Sequence, residues 1–200
     1  LDTQGVASSN LAGRTNLENI MEDKLNLKQY IRTVNDFPIP GIKFRDITSL
    51  IESPEGLTKA CNAFIDLTEK FNATMVASIE SRGFIFAGPI SKDLSLPFVL
   101  ARKPGKLPNE TYKKEFKLEY GSTSIEIQKN TNITERERIV IVDDLVATGG
   151  TALACAELIC ENFNVPRDNI LILSVIDLPE LGGSNKIKKN GYHLEILVSY

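Results

Sequence analysis

With 200 residues, 42% of them hydrophobic and 24% charged, the chain has the make-up of one soluble globular domain with a sizeable core. Its formal net charge of −3 argues against a general nucleic-acid binder, and a single histidine, His193, excludes histidine pairs and zinc clusters. Cys61, Cys155 and Cys160 form no CxxC and read as free thiols of a reducing cytoplasm, and no apolar run approaches the roughly 20 residues of a membrane span.

Residues 1–16, LDTQGVASSNLAGRTN, are polar and aperiodic and read as a disordered lead-in or an expression remnant, leaving 17–200 as one domain. A short helix is predicted from about Leu17 to Thr33. FPIPGIKFRDIT then carries two prolines and a glycine, a turn-rich connection. Ser53-Pro54-Glu55 combines a capping serine, a proline at the first helical position and a first-turn acid. Leu57, Ala60, Cys61, Phe64, Leu67 and Phe71 follow at helical spacing.

Strands are predicted at TMVASI (74–79), PFVLAR (97–102), IVIVDD (139–144), NILILSVID (169–177) and the final YHLEILVSY, with helices opening after Gly83 and Gly149. Short, nearly continuous apolar strands alternating with helices mark an α/β domain with an open, mostly parallel sheet flanked by helices. Residues 102–128 interrupt that rhythm with a polar, basic stretch whose end, FKLEYGSTSIEIQ, alternates around Gly121 as a hairpin does. A connection of that length inside a compact domain is more often functional than neutral.

IVIVDDLVATGGT (139–151) carries the chemistry. Ligands of an open parallel sheet bind beyond the carboxyl ends of its strands, which puts Asp143 and Asp144 at the strand mouth. Ala147, Thr148, Gly149, Gly150 and Thr151 then open a helix, where backbone N–H groups and the helix dipole receive an anion and the hydroxyls add donors. Carboxylates accepting from sugar hydroxyls beside a phosphate cradle suit a ribose phosphate. No Gly-Lys-Ser/Thr follows, so this is not a Walker A loop.

VDDLVATGGT resembles the phosphoribosyl-pyrophosphate (PRPP) motif of the type I phosphoribosyltransferases. DFPIPGIKFRDIT, SIESRGFIFAGPIS, ARKPGKLP and KLEYGSTSIEIQK resemble the adenine phosphoribosyltransferases of that family in order and spacing, from about Leu27 to the end. The resemblance implies the type I fold with a flexible hood, the hairpin loop of about 102–128. It implies a glycosyltransferase of purine salvage that makes AMP and pyrophosphate from adenine and PRPP with Mg2+, as a cytoplasmic homodimer. A phosphoribosyltransferase for another base and a PRPP-binding regulatory protein stay open as alternatives.

The resemblance also assigns roles. Ser81 and Arg82 begin a pyrophosphate loop, joined by Arg102, Lys103 and Lys106 of the basic stretch. A cis peptide at Glu80-Ser81 or Ser81-Arg82 accompanies such a loop in the family. Glu119, on the hood, is the expected proton-transfer residue, with Tyr120 beside it and Arg82 as its catalytic partner. Lys43, Phe44 and Arg45 match the adenine pocket, with Leu145 covering the base. Pro104 stands where relatives often carry a basic residue, which weakens the charge and stiffens the turn. No side-chain metal cage is expected; magnesium is held mostly by PRPP.

Overall fold

The computed structural model describes residues 26–117 and 122–200. The described residues divide into two compact units, one ending at Ala60 and the other beginning at Cys61, with the boundary inside one helix.

In the first unit a 3-10 turn, Leu27–Tyr30, leads into strand β1 (Arg32–Asn35), which pairs antiparallel with β2 (Lys43–Asp46). Of the helix predicted over 17–33, residues 17–25 lie outside the described residues, 27–30 form only the 3-10 turn, and 32–33 are strand. Thr33 and Val34 are β-branched and favour the strand, and Arg32 has a cross-strand partner in Asp46 at 2.6 Å. Residues 36–42 close the hairpin: Asp36 adopts a positive φ, its carboxylate accepts the Gly41 N–H at 2.7 Å, and Phe37-Pro38 is cis. A short helix, α1 (Thr48–Glu52), follows, and Leu27, Ile31, Ile47 and Leu50 form the buried side.

Helix α2 (Pro54–Lys70) begins as its sequence predicts, with the Ser53 hydroxyl accepting the Gly56 N–H at 3.1 Å. It crosses from the first unit to the second, where Phe64 is fully buried and meets Phe86 edge to face. Burial of such a side chain contributes roughly 1.5–3 kcal/mol.

The second unit is built on a five-stranded sheet of order β4-β3-β7-β8-β9, with every neighbouring pair parallel. The strands are β3 (Met75–Ile79), β4 (Phe98–Ala101), β7 (Ile139–Val146), β8 (Ile170–Asp177) and β9 (His193–Ser199). All residues of β3 and β8 are buried, the expected state of a sheet covered on both faces. The connecting helices are α3 (Gly83–Leu94), α4 (Gly150–Phe163) and α5 (Gly183–Lys189).

The polar interruption forms a separate antiparallel hairpin, β5 (Thr111–Lys117) with β6 (Ser122–Gln128), as the alternation around Gly121 predicts. The hairpin packs on α4: the Tyr112 ring meets Phe163 edge to face, and Lys114 reaches Glu157 and Glu161.

Candidate active site

Three loops leave the carboxyl edge of three neighbouring parallel strands. Residues 80–82 follow β3, residues from Arg102 follow β4, and residues 147–149 follow β7. Sheet order alone brings together the segments assigned to pyrophosphate and to phosphate.

The acid pair sits deeper than the sequence implies. Strand β7 does not stop at Asp144 but runs to Val146, because the ladder to β8 continues through Leu145–Ile176 and Val146–Asp177. Asp143 and Asp144 are accordingly only 8% and 7% exposed. Asp144 is met by Arg82, Nε to Oδ2 at 2.6 Å, and the Asp143 carboxyl accepts the Asp144 N–H at 2.9 Å. Burial, and then the charge of Asp144, pushes the Asp143 carboxyl well above the ordinary carboxylate range.

Arg82 precedes α3, and Gly83, its first residue, explains how the two loops come so close. A Cβ at Gly83 would lie 2.6 Å from the Val142 carbonyl and 2.7 Å from the Ser78 hydroxyl, which itself donates to that carbonyl. Only a glycine lets α3 begin against the backbone of β7. The Glu80-Ser81 peptide is cis, one of the two positions expected. Ser81 and Arg82 are exposed.

Glu80 was not singled out in the sequence, although it directly precedes Ser81-Arg82. Its carboxylate accepts from Arg102 Nε at 2.5 Å and from the Lys103 N–H at 3.1 Å. Burial would raise the Glu80 pKa, but those two donors and their charges outweigh it and hold the group below its ordinary value. Arg102 also donates to the Lys106 carbonyl at 3.0 Å, so its guanidinium shapes the basic turn from within. Lys103 and Lys106 are exposed on that turn.

At the phosphate turn, Gly149 has φ of +73° and caps α4, where the Leu153 N–H returns to its carbonyl. Ala147, Thr148, Gly150 and Thr151 are half-buried around it. Leu145 is half-buried on β7. The base-pocket candidates belong to the first unit, on β2: Phe44 meets Phe37 edge to face at 5.0 Å, and Arg45 donates to the Thr33 hydroxyl at 2.5 Å. Lys43 is exposed at the start of that strand. Glu119 and Tyr120 lie outside the described residues.

A buried acid pair followed by a glycine turn at the start of a helix, with an arginine loop on the adjacent strand, defines a protein that handles a phosphorylated sugar. Residues 49–173 match the family model of the phosphoribosyl transferase domain. Adenine phosphoribosyltransferase of Pelagibacter ubique is 42% identical over 179 residues, covering 88% of this chain and 98% of that protein. The Novosphingobium aromaticivorans enzyme of the same name is 46% identical over 176 residues, covering 88% and 96%. Among solved structures, adenine phosphoribosyltransferase of Thermoanaerobacter pseudethanolicus superposes with a TM-score of 0.79 at 38% identity, covering 88% of this chain and 98% of its own. The Giardia lamblia enzyme complexed with 9-deazaadenine gives 0.80 at 34%, covering 87% and 96%. The chain belongs to the phosphoribosyltransferase family, in its adenine phosphoribosyltransferase branch.

Proposed function

We propose that the chain transfers the phosphoribosyl group of PRPP to adenine, releasing pyrophosphate and forming AMP, a purine-salvage reaction. The observation that carries this reading is the Arg82–Asp144 ion pair at 2.6 Å, which joins the pyrophosphate loop to the ribose acids at the head of the glycine turn. The homologues and structural neighbours named above support adenine as the base.

The residues divide the work by charge. The turn 147–151 receives the 5′-phosphate on backbone N–H groups and threonine hydroxyls. Asp143 and Asp144 accept from the ribose hydroxyls, and Asp144 is the carboxylate that brings negative charge to a sugar that turns oxocarbenium-like as its bond to pyrophosphate breaks. Arg82 and backbone groups of Ser81, with Lys103 and Lys106, take the charge that moves onto the leaving group. Arg102 holds the basic turn in shape through Glu80. Lys43, Phe44 and Arg45 are the candidates of the first unit for binding the base. The attacking purine nitrogen must lose its proton, and Glu119, with Tyr120 beside it, accepts that proton as the hairpin covers the site.

Magnesium fits the donors present as a guest of the substrate. No group of three or more histidines, cysteines or acids able to hold a metal occurs among the described residues. We infer that the ion would be held mostly by PRPP, with Asp143 and Asp144 the protein carboxylates nearest the ribose. Bound there, it would neutralise charge on the leaving pyrophosphate.

The reading includes a cytoplasmic homodimer. Ile85 on α3 and Leu100 on the edge strand β4, each 37% exposed, support an apolar contact with a second copy. None of the described helices is long and apolar enough to cross a membrane. Initial rates with PRPP and each of adenine, hypoxanthine, guanine and a pyrimidine test the activity. Adenine should exceed the others at least a hundredfold in kcat/KM, and a chain indifferent to the base, or inert with all four, overturns the assignment.

A further inference from the structure

The turn that takes the phosphate is seated on another part of the chain. At the end of β8 the backbone crosses under it: the Leu178 N–H donates to the Val146 carbonyl and the Gly183 N–H to the Ala147 carbonyl, each at 3.1 Å. A Cβ at Gly183 would lie 2.2 Å from the Ala147 carbonyl oxygen, 2.6 Å from the Gly149 nitrogen and 2.8 Å from the Thr148 carbonyl carbon. The exclusion is mutual, since a Cβ at Gly149 would lie 2.8 Å from the Gly183 carbonyl oxygen. All of these obstacles are backbone atoms, so no side-chain rotation relieves them.

The seat is fixed from below as well. Asp177, the last residue of β8, is 6% exposed. The Leu178 and Gly183 N–H bonds tie residues 178–183 to the end of β7 and to the turn after it. Gly182, at φ of +72°, makes the reversal that sets Gly183 in place, and a Cβ there meets nothing within 4 Å.

We propose that Gly183 is a positioning residue for the transfer reaction. By admitting the backbone of turn 147–149 at a distance no side chain allows, it fixes the direction of the N–H groups that receive the 5′-phosphate. It touches no substrate and acts only through Ala147, Thr148 and Gly149. The inference rests on the reading of 147–151 as the phosphate socket. A methyl that would lie 2.2 Å from the Ala147 oxygen must push the turn well beyond a few tenths of an ångström, which misaims several hydrogen bonds at once, and hydrogen bonds weaken steeply with misalignment.

The test compares Gly183→Ala, Gly182→Ala and Thr151→Ala with the unaltered chain in steady-state kinetics and thermal unfolding. Gly183→Ala should raise the KM for PRPP about tenfold or more, as removal of ground-state binding does, while the KM for adenine stays within about twofold. Gly182→Ala strains the same reversal without touching the turn; it should lower the melting temperature and leave both KM values unchanged. If Gly183→Ala only lowers kcat with both KM values intact, the residue is merely structural and the proposal falls. If Thr151→Ala leaves the KM for PRPP unchanged, the socket itself is misplaced, a failure distinct from loss of the Gly183 effect alone. Should Gly183→Ala not fold, hydrogen exchange on the unaltered chain decides. Saturating AMP should slow exchange of the 178–184 amides at least tenfold, by the linkage of a ligand to its support; unchanged exchange there overturns the proposal.

Discussion

Arg82 and Asp144 are ion-paired at 2.6 Å, the arginine about half exposed and the acid nearly buried. The guanidinium proposed to meet the pyrophosphate is thus held by a residue of the neighbouring strand. On that proposal, pre-orientation of this kind would place positive charge where the leaving group develops its negative charge, without reorganisation during the step.

Arg82→Ala should lower kcat/KM for PRPP by about 10²–10³, the loss typical of deleting one preorganised donor. Arg82→Lys should recover only a part, because an ammonium lacks the planar fork. The pair is half solvated on the arginine side, so unfolding free energy should move by no more than about 1 kcal/mol. Steady-state kinetics beside thermal melts make the comparison. Unaltered kinetics with a large fall in melting temperature would show the pair to be scaffolding.

Asp143 sets a pH dependence of stability. Its carboxyl is pushed up by burial and by Asp144, so the folded chain keeps this proton to higher pH than the unfolded chain does. The folded state then binds more protons above the ordinary carboxylate pKa, and stability falls as pH rises through the raised value. Asp177, also raised by burial, has the same sign. Glu80, held low, acts oppositely and only in acid, losing its contribution as pH falls through its folded value. Asp143→Asn should therefore flatten the decline of melting temperature as pH rises above the ordinary carboxylate range, and raise it at the upper end. A slope identical to that of the unaltered chain would mean that Asp143 is ionised throughout.

The sheet and the ligand loops were legible because parallel strands buried on both faces leave long apolar runs, and because glycines and acids at strand ends have few other uses. The first unit was not. A helix over 17–33 is the natural reading of LENIMEDKLNLKQY; residues 17–25 lie outside the described residues, and at its far end the cross-strand partners that decide for β1, Asp46 opposite Arg32 and Phe44 opposite Val34, lie ten or more residues away. The depth of the acid pair was hidden for the same reason: Leu145 and Val146 extend β7 only because β8 is there to pair with them. Glu80 and Gly183 meet groups remote in sequence, Arg102 and Ala147, which the order of the letters does not reveal.

Glu119 belongs to the connection between β5 and β6, whose flanking strands pair in full register from Thr111 opposite Gln128 to Lys117 opposite Ser122. If it accepts the purine proton, Glu119→Ala should cut kcat by about 10²–10⁴ while PRPP binds as before. Glu119→Gln keeps the shape without the base and should lose nearly as much. Single-turnover rates together with PRPP affinity separate the two effects. A glutamine variant at full speed would move the proton acceptor elsewhere.

The hairpin's base is held by Lys114, which reaches Glu161 at 2.5 Å and Glu157 at 3.1 Å on α4. Glu161, against a smaller opposing effect of burial, raises the lysine's pKa, with Glu157 adding to the rise. A raised lysine stabilises the fold at neutral pH and loses that contribution as pH climbs through its folded value. The same helix begins at the phosphate turn, so this ion triad couples the strand that leads to Glu119 with the element that carries Gly150 and Thr151. Both acids and the lysine are partly solvated, which limits each pair to about 0.2–1 kcal/mol. A double-mutant cycle on Lys114→Ala and Glu161→Ala should return a coupling in that range, shrinking as salt is added. Exchange of the β5 amides should quicken in Lys114→Ala while the sheet core stays protected. Were the cycle to close at zero with β5 exchange unmoved, the hairpin would be held on α4 by apolar contacts such as Tyr112 against Phe163 instead of by charge.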